Sequence, residues 1–177
     1  DQPKENAMLV VEGQNTIGIQ FMDTEYLFDK RKGLVSIQVN DEELLKEAPK
    51  PVFYRALTDN DRGAKQTYAN WLNASLFQNV IDFKMIRNSK CAQMIYTIQC
   101  ESIEEPCKLV YTVYNNQNIQ IQLHMDKNSQ RQTLPLFGIE FALKDTFKNF
   151  AYFGKGEKDT YIDRDHALTD FYFENVD

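Results

Sequence analysis

Apolar and polar residues alternate along most of this chain. In NIQIQLHMD, residues 118–126, the apolar side chains fall on one face of an extended segment and the polar side chains on the other. Successive side chains of a β-strand point to opposite faces, so this spacing predicts a strand with one apolar side. The same alternation predicts three further strands, around Ile17, Ile19 and Phe21, around Val35, Ile37 and Val39, and around Phe137, Ile139, Phe141 and Leu143.

Turn residues separate these segments. The run Asp29-Lys30-Arg31-Lys32-Gly33 divides two apolar stretches, and Asn115-Asn116 lies between KLVYTVY and IQIQLHM. Asparagine tolerates the left-handed backbone that tight turns require, so the second pair of segments is predicted to form a β-hairpin.

One segment has the period of a helix instead. After Gly63, apolar side chains recur at i, i+3, i+4 and i+8, in Tyr68, Trp71, Leu72 and Leu76. This spacing predicts a short amphipathic helix that begins near Ala64, capped by Asn60 or Asp61, with Trp71 packed onto a sheet. Many strands and one short helix predict an all-β, antiparallel β-sandwich, with residues 1–177 as a single domain.

Composition and charge exclude several classes of protein. The chain has 177 residues, 42% of them hydrophobic, and a formal net charge of −6. Basic residues do not cluster, so no nucleic-acid partner is expected, and no apolar run is long enough for a membrane helix. The first residues, DQPKENAMLV, contain neither an initiating Met nor a signal peptide, which favours a piece of a longer product and a cytoplasmic location.

Cysteines and histidines are few. Cys91, Cys100 and Cys107 form no CxxC pair, and the only histidines are His124 and His166. Free thiols in a reducing compartment are the simplest interpretation, and a zinc site is not expected. A single histidine on the polar face of a strand is more often a bystander than a base.

The densest polar stretch is FYRALTDNDRG, residues 53–63. Its Asp-Asn-Asp-Arg-Gly run can satisfy backbone N–H groups through Asx turns, and its arginine can bind a carboxylate with two nitrogens. The residues alone leave two roles open, the bracing of a strand-to-helix corner and an interface, or direct contact with a ligand. Gly154 and Gly156 form a lone GxG, for which a tight turn is preferred over a phosphate-binding loop.

FYRALTDNDRG resembles the Arg-Ala-Pro-x-Asp-Asn-Asp-x-Gly signature of the small-chain domain of family 2 β-galactosidases, with Leu57 in place of proline. Two more segments, in the same order and spacing as in that family, also resemble it. FDKRKGLVSIQVNDEELL, residues 28–45, is similar to its FDKxxGxLxSxxxxGxELL hairpin, and YFGKGEKDTYIDR, residues 152–164, to its xGxGPxExYxDR segment. The signature residues here are Arg55, Asp59, Asn60, Asp61, Arg62 and Gly63, and those of the last motif are Gly154, Gly156, Asp159, Tyr161, Asp163 and Arg164.

The resemblance implies a galactose mutarotase-like supersandwich, present here in part, within an enzyme that hydrolyses terminal β-galactosides such as lactose with retention. The family places both catalytic glutamates in a separate (β/α)8 barrel, together with its magnesium and sodium sites. No catalytic residue and no metal are therefore expected in this chain, and the chain alone is expected to be inactive. Its expected partners are the barrel-containing remainder and, in the assembled enzyme, the galactoside. A partial sandwich also leaves strand edges open, so self-association is expected.

Two alternatives belong to other classes. A free-standing mutarotase-like module, either sugar-binding or an aldose epimerase, would need a carboxylate–histidine pair on a concave sheet, and neither His124 nor His166 lies in a recognisable partner motif. A third possibility is a scaffold sandwich that only holds subunits together. A shared fold alone does not decide between these functions.

Overall fold

The computed structural model describes residues 8–63, 67–126, 133–156 and 167–175. The chain divides into two compact units, Asp1–Ala142 and Leu143–Asp177. The expectation that residues 1–177 form one domain stays a prediction. Strands dominate the described residues, which confirms the predicted all-β class.

Thirteen strands and two short helices make up the described structure. The strands are β1 (Leu9–Glu12), β2 (Thr16–Gln20), β3 (Thr24–Asp29), β4 (Gly33–Val39), β5 (Glu42–Glu43), β6 (Leu45–Val52), β7 (Gln78–Arg87), β8 (Cys91–Cys100), β9 (Cys107–Tyr114), β10 (Ile119–His124), β11 (Gly138–Leu143), β12 (Asn149–Lys155) and β13 (Thr169–Asn175). The helices are α1 (Asp59–Gly63) and α2 (Ala69–Leu76). No helix among the described residues is long and apolar enough to cross a membrane.

Two antiparallel sheets pack face to face in the first unit. One contains β1 to β5 in chain order, and the other has the order β10-β9-β8-β7. The ring of Phe28 on β3 lies 5.4 Å from that of Tyr111 on β9, and the Tyr96 hydroxyl on β8 donates to the Asp29 carbonyl. These contacts join the two sheets across a common apolar core, as the predicted sandwich requires. Strands β6 and β11 pair separately.

The predicted alternation holds well on β10. Ile119, Ile121, Leu123 and Met125 all pack against the core, while His124 on the opposite face is exposed. On β11 only Ile139 contacts the core, and Phe141 is 52% exposed.

The alternation fails on β4 because of a β-bulge. Leu27 on β3 pairs with Ser36 and Phe28 pairs with Leu34, so Val35 is the extra residue. One extra residue reverses the faces of everything on one side of it. The core therefore receives Leu34 and Ile37 rather than the predicted series through Val35.

The two predicted turns form, with one correction. In the β3–β4 turn, Arg31 N and Lys32 N donate to the Asp29 carboxylate, and Gly33 has φ 89°. The β9–β10 hairpin also forms, but its left-handed residue is Gln117, with φ 68°, and not an asparagine.

The helical prediction needs more correction. Two helices replace the single predicted one, and the second begins at Ala69 rather than near Ala64, with Tyr68 as its N-cap and no side-chain cap. Trp71 is buried as predicted, at 2% exposure, but Leu76 is 63% exposed. Leu76 is the last residue of α2, immediately before the extended backbone at Phe77, so it does not extend the apolar stripe onto the sheet.

The second unit contains the antiparallel pair β12–β13. The rings of Phe150, Tyr152 and Tyr172 stack along one face, at 6.0 and 5.2 Å between successive centroids. Phe153 and Phe171 pair on the other face at 4.9 Å.

Candidate functional site

The FYRALTDNDRG segment leads from the end of β6 into α1. Its first residue, Phe53, is fully buried, and its ring packs at a tilt of 50° against that of Trp71 on α2, with 6.1 Å between the ring centroids. The backbone N–H of Phe53 donates to the Ser75 hydroxyl, which in turn donates to the Trp71 carbonyl. The segment is therefore anchored to α2 before the polar residues of the signature begin.

Asp61 is the centre of the polar part. Its side chain is 10% exposed and accepts hydrogen bonds from three other residues. Arg55 Nη1 donates to Oδ2 at 2.6 Å, and Arg55 Nη2 lies 3.5 Å from Oδ1. The backbone N–H and the hydroxyl of Thr58 also donate to Oδ2, at 2.8 and 2.7 Å, and the Tyr68 hydroxyl donates to Oδ1 at 3.0 Å.

Thr58 and Asp61 also form the start of α1. The Asp61 N–H donates to the Thr58 hydroxyl at 3.3 Å, while the Asp61 carboxylate accepts from the Thr58 N–H. This reciprocal pair is a capping box in which aspartate takes the place of the usual glutamate. The prediction that Asn60 or Asp61 caps the helix containing Trp71 is therefore wrong, because Asp61 is already the third residue of a separate, earlier helix.

The hydrogen bonds to Asp61 shift the pKa values of both Asp61 and Tyr68. The Arg55 guanidinium, followed by the backbone and hydroxyl of Thr58, holds the pKa of Asp61 well below its usual range. The pKa of Tyr68 is raised, mainly because its hydroxyl donates to that carboxylate. Asp61 is consequently ionised at neutral pH with its oxygens occupied, which suits a structural anion and not a general acid.

The other signature residues face outward. Asp59, Asn60 and Gly63 are exposed, and the ion pair between Arg62 and Asp59 is formed at 3.0 Å by exposed side chains. Arg62 uses one nitrogen in this contact rather than the predicted two. The structure thus divides the signature into an inner pair, Arg55 and Asp61, and an outer group.

Sequence reasoning missed two members of the cluster, Thr58 and Tyr68. Thr58 had a recognisable signal, since a threonine three residues before an acidic residue fits a capping box. Tyr68 had none. It reaches Asp61 from a left-handed backbone conformation, with φ 48°, that nothing in the sequence indicates.

Only part of the second motif lies within the described residues. Gly154 is inside β12, paired with Asp170, so it does not form the predicted tight turn. Gly156 is buried, and a Cβ there would lie 2.5 Å from the Tyr152 hydroxyl and 2.6 Å from the Tyr172 ring. Gly156 therefore makes room for the stacked tyrosines, whereas a Cβ at Gly154 would lie 3.7 Å from the Tyr152 ring, an ordinary contact. The remaining predicted residues lie outside the described residues, namely Asp159, Tyr161, Asp163, Arg164 and also His166.

Among the described histidine and cysteine side chains, groups that could perform acid–base or metal chemistry form at most a pair, the thiols of Cys100 and Cys107, whose sulfurs lie 3.8 Å apart. His124 forms no ion pair with any described residue, and Cys91, Cys100 and Cys107 are all free thiols. Within residues 8–63, 67–126, 133–156 and 167–175, no group of three or more His, Cys, Asp or Glu side chains could hold a metal ion.

A cavity of about 400 Å³ lies in the first unit. Basic Arg31, Lys32 and Lys50 line it together with apolar side chains that include Ile98 and Leu109. A retaining glycosidase needs two carboxylates about 5–5.5 Å apart. None of the described residues that line this cavity carries a carboxylate, so its chemistry does not match such a site.

Comparison with known proteins gives a consistent result. The family model described as "Beta galactosidase small chain" matches residues 20–177. The chain is 30% identical to a β-galactosidase of Clostridium acetobutylicum over 164 residues, which is 90% of this chain and 18% of that protein. It is also 30% identical to a β-galactosidase of Streptococcus thermophilus, over 93% of this chain and 16% of that protein.

A shorter relative matches as well. The chain is 30% identical to the β-galactosidase small subunit of Latilactobacillus sakei over 182 aligned positions, which cover 89% of this chain and 57% of that subunit. The chain therefore spans less than a fifth of the two longer relatives and little more than half of the small subunit.

Proposed function

Because the chain belongs to the family of β-galactosidase small chains, we propose that it serves as a non-catalytic β-sandwich domain of a β-galactosidase. In this proposal the complete enzyme is a family 2 glycoside hydrolase of the cytoplasm. It hydrolyses terminal β-D-galactosides such as lactose, with retention. The domain has the galactose mutarotase-like fold, supports the barrel that contains the active site, contributes to subunit contacts and helps to wall the sugar pocket.

The state of Asp61 is the observation that best supports a non-catalytic role. This carboxylate is the least exposed acidic group of the signature, and Arg55, Thr58 and Tyr68 from the same corner occupy its oxygens. A general acid or a nucleophile needs a free oxygen directed at the substrate. In this proposal the catalytic glutamates, and the magnesium and sodium expected for the family, belong to the barrel-containing remainder.

The outer group of the signature has a different role in this proposal. Asp59, Asn60 and Arg62 present exposed charge and amide groups beside a rigid inner pair. Such groups are well placed for polar contacts with another domain, whereas Arg55 and Asp61 fix the backbone from which they project. In this proposal the inner pair holds the backbone of the corner in place, and the exposed outer group contacts the partner domain.

Complementation tests this function. The chain is assayed with a chromogenic β-galactoside, alone and after mixing with the barrel-containing remainder of its parent protein. We expect no turnover by the chain alone and restored turnover in the mixture. Turnover by the chain alone would contradict the proposal.

A matched pair of arginine variants makes the test specific. Arg55→Ala removes the main partner of Asp61, and we expect it to lose most of the complementing activity. Arg62→Ala removes an arginine of the same signature whose side chain is 66% exposed, and we expect a smaller loss that appears as weaker binding to the remainder. If Arg55→Ala complemented as well as the parent chain, the pair formed by Arg55 and Asp61 would not be needed for complementation.

Self-association of the isolated chain is part of the same proposal. The β12–β13 pair exposes Phe153, Phe171 and Phe173 by 64%, 67% and 81% on one face, and exposed apolar surface of this kind is typical of an interface. We expect sedimentation to detect oligomers that dissociate when the remainder is added. A chain that stays monomeric over a broad concentration range would contradict this part.

A further inference from the structure

Two of the three cysteines lie together at one end of the β8–β9 hairpin. Cys100 is the last residue of β8 and Cys107 the first of β9, and their sulfur atoms are 3.8 Å apart. Both residues are buried, at 2% and 1% exposure. Cys91 is the first residue of β8, at the other end of the strand. The chain thus contains one close thiol pair and one separate thiol.

Different strand pairs hold the two cysteines in place. Cys107 is paired with Ile98 in the last pair of the β8–β9 ladder, so Cys100 lies two residues beyond the end of that ladder. Cys100 is paired instead with Gln78 on β7. Pairing with β9 therefore does not fix the backbone at Cys100, and the connection at residues 101–106 is free to adjust while the sulfurs stay in contact.

The thiol pair is complete for one kind of chemistry. A disulfide needs two sulfurs that can approach to about 2.05 Å, and it needs no third protein group. A structural metal centre usually needs four ligands, and among the described residues no group of three or more His, Cys, Asp or Glu side chains could hold a metal ion. Two buried cysteines can also serve only as small apolar packing residues, which is the alternative that a test must separate from a disulfide.

We propose that Cys100 and Cys107 are a redox modification site at which a hydroperoxide converts the two thiols to a disulfide. Either sulfur first attacks the hydroperoxide ROOH, which breaks the O–O bond, releases ROH and leaves a sulfenic acid. The other sulfur then attacks the sulfenic sulfur, forms the S–S bond and releases water. In total, two thiols and ROOH give one disulfide, ROH and water. The two sulfurs together lose two electrons, which reduce the peroxide.

The bond would close the connection onto the hairpin that it joins. The Glu101 N–H donates to the Phe77 carbonyl, directly after α2, and the Ser102 hydroxyl lies 3.5 Å from the Asn73 side-chain nitrogen. A disulfide at this point would therefore stabilise the end of the hairpin against which α2 ends. Because both sulfurs are buried, we expect the oxidation to be slower than that of an exposed thiol pair.

Hydrogen peroxide is the probe for the test, used on the full 177-residue chain under conditions in which it is folded. After the peroxide is removed, the remaining thiols are counted in denaturant. We expect the chain to lose two of its three free thiols and, by mass, two hydrogen atoms, and to recover both thiols on treatment with dithiothreitol. The oxidised chain should melt roughly 5–10 °C higher, since the bond joins residues only seven positions apart and restricts the unfolded chain.

Peptide mapping identifies the bond. Cleavage after Lys90 and Lys108 by trypsin, and after Glu101 by a glutamyl endopeptidase, places Cys100 and Cys107 in separate peptides. These peptides should stay joined until they are reduced. Cys91 shares a peptide with Cys100, so the variant Cys91→Ala is mapped in the same way, and we expect it to lose both of its thiols.

Several results would overturn the proposal. If all three thiols survive peroxide that oxidises a model thiol, the two cysteines only pack. Loss of one thiol as a sulfinic acid, or a bond from Cys107 to Cys91 or to a second chain, would mean that the pair does not react as a unit. A lower melting temperature after oxidation would mean that the folded chain does not accommodate the bond. Cys100→Ala and Cys107→Ala should form no bond within the chain, and if either fails to fold, the map of Cys91→Ala decides alone.

Discussion

Replacing Trp71 with alanine tests whether the packing of one side chain holds α2 in place. Trp71 is 2% exposed, its ring lies 6.1 Å from that of Phe53, and its indole N–H donates to the Thr133 carbonyl at 3.1 Å. Removing a buried aromatic side chain leaves a cavity and typically costs about 3–5 kcal/mol. In a chain of this size each kcal/mol lowers the melting temperature by roughly 2–4 °C, so a loss of about 4 kcal/mol corresponds to roughly 8–16 °C.

Two further variants separate packing from hydrogen bonding and from helix position. Trp71→Phe keeps an aromatic ring but loses the indole N–H, a hydrogen bond with a net value of about 1 kcal/mol, so the free energy of unfolding should fall by roughly 1–2 kcal/mol. Leu76→Ala changes an apolar residue of the same helix that is 63% exposed, and should change the free energy of unfolding by less than about 0.5 kcal/mol.

Urea unfolding followed by circular dichroism is the assay, because Trp71 is the only tryptophan and its replacement removes the fluorescence probe. If Trp71→Ala and Leu76→Ala lowered the free energy of unfolding by similar amounts, the reasoning would be refuted. Leu76 would then contribute to packing as much as Trp71, as the predicted apolar stripe required. A loss for Trp71→Phe equal to that for Trp71→Ala would mean that the hydrogen bond, rather than packing, holds the helix.

Three other predictions concern the corner and the core. The pKa of Asp61 is lower in the folded than in the unfolded chain, so its stabilisation is present above about pH 4 and is lost as the pH falls further. The melting temperature of Asp61→Asn should therefore depend less on pH between 7 and 3 than that of the parent chain. Burial raises the pKa of Tyr111, so the stability it provides is present below about pH 10 and is lost as the pH rises beyond that, and Tyr111→Phe should reduce the alkaline fall in melting temperature. Gly33→Ala should cost about 1–2 kcal/mol in urea unfolding, because φ is 89° and the added Cβ would lie 3.2 Å from the Tyr111 hydroxyl. Gly63→Ala, where a Cβ meets nothing within 4 Å, should instead leave stability unchanged or raise it by up to about 1 kcal/mol.

Most of the sheet structure could be predicted from the sequence because a half-buried strand has a strict period of two. Ile119, Ile121 and Leu123 follow that period, and the structure places all three against the core. On β4 the same reasoning failed at Val35, since a bulge adds one residue without any change in the apolar pattern. Alternation therefore located the strands, but it could not show where a β-bulge shifts the register between two paired strands.

The candidate site was predicted less completely. Arg55 and Asp61 belong to a recognisable signature, but the sequence does not show that they pair with each other while Arg62 pairs with Asp59. That pairing depends on α1, a helix of five residues that is too short to produce a periodic apolar pattern. Tyr68 completes the cluster through a left-handed backbone that its residue type does not favour.

The second unit shows why a chain of this family should need a larger assembly. Phe153, Phe171 and Phe173 lie on one face of a two-stranded sheet, each more than half exposed. The described residues of this unit contribute no layer over that face, and an isolated pair of strands is at best marginally stable in water. The glycine at 156 lets Tyr152 and Tyr172 stack on the other face, so the described residues of this unit stabilise one side only. The phenylalanine face should therefore acquire most of its stabilisation when another surface covers it, which makes it, together with the exposed outer group of the signature, a place to look for the contact that complementation requires.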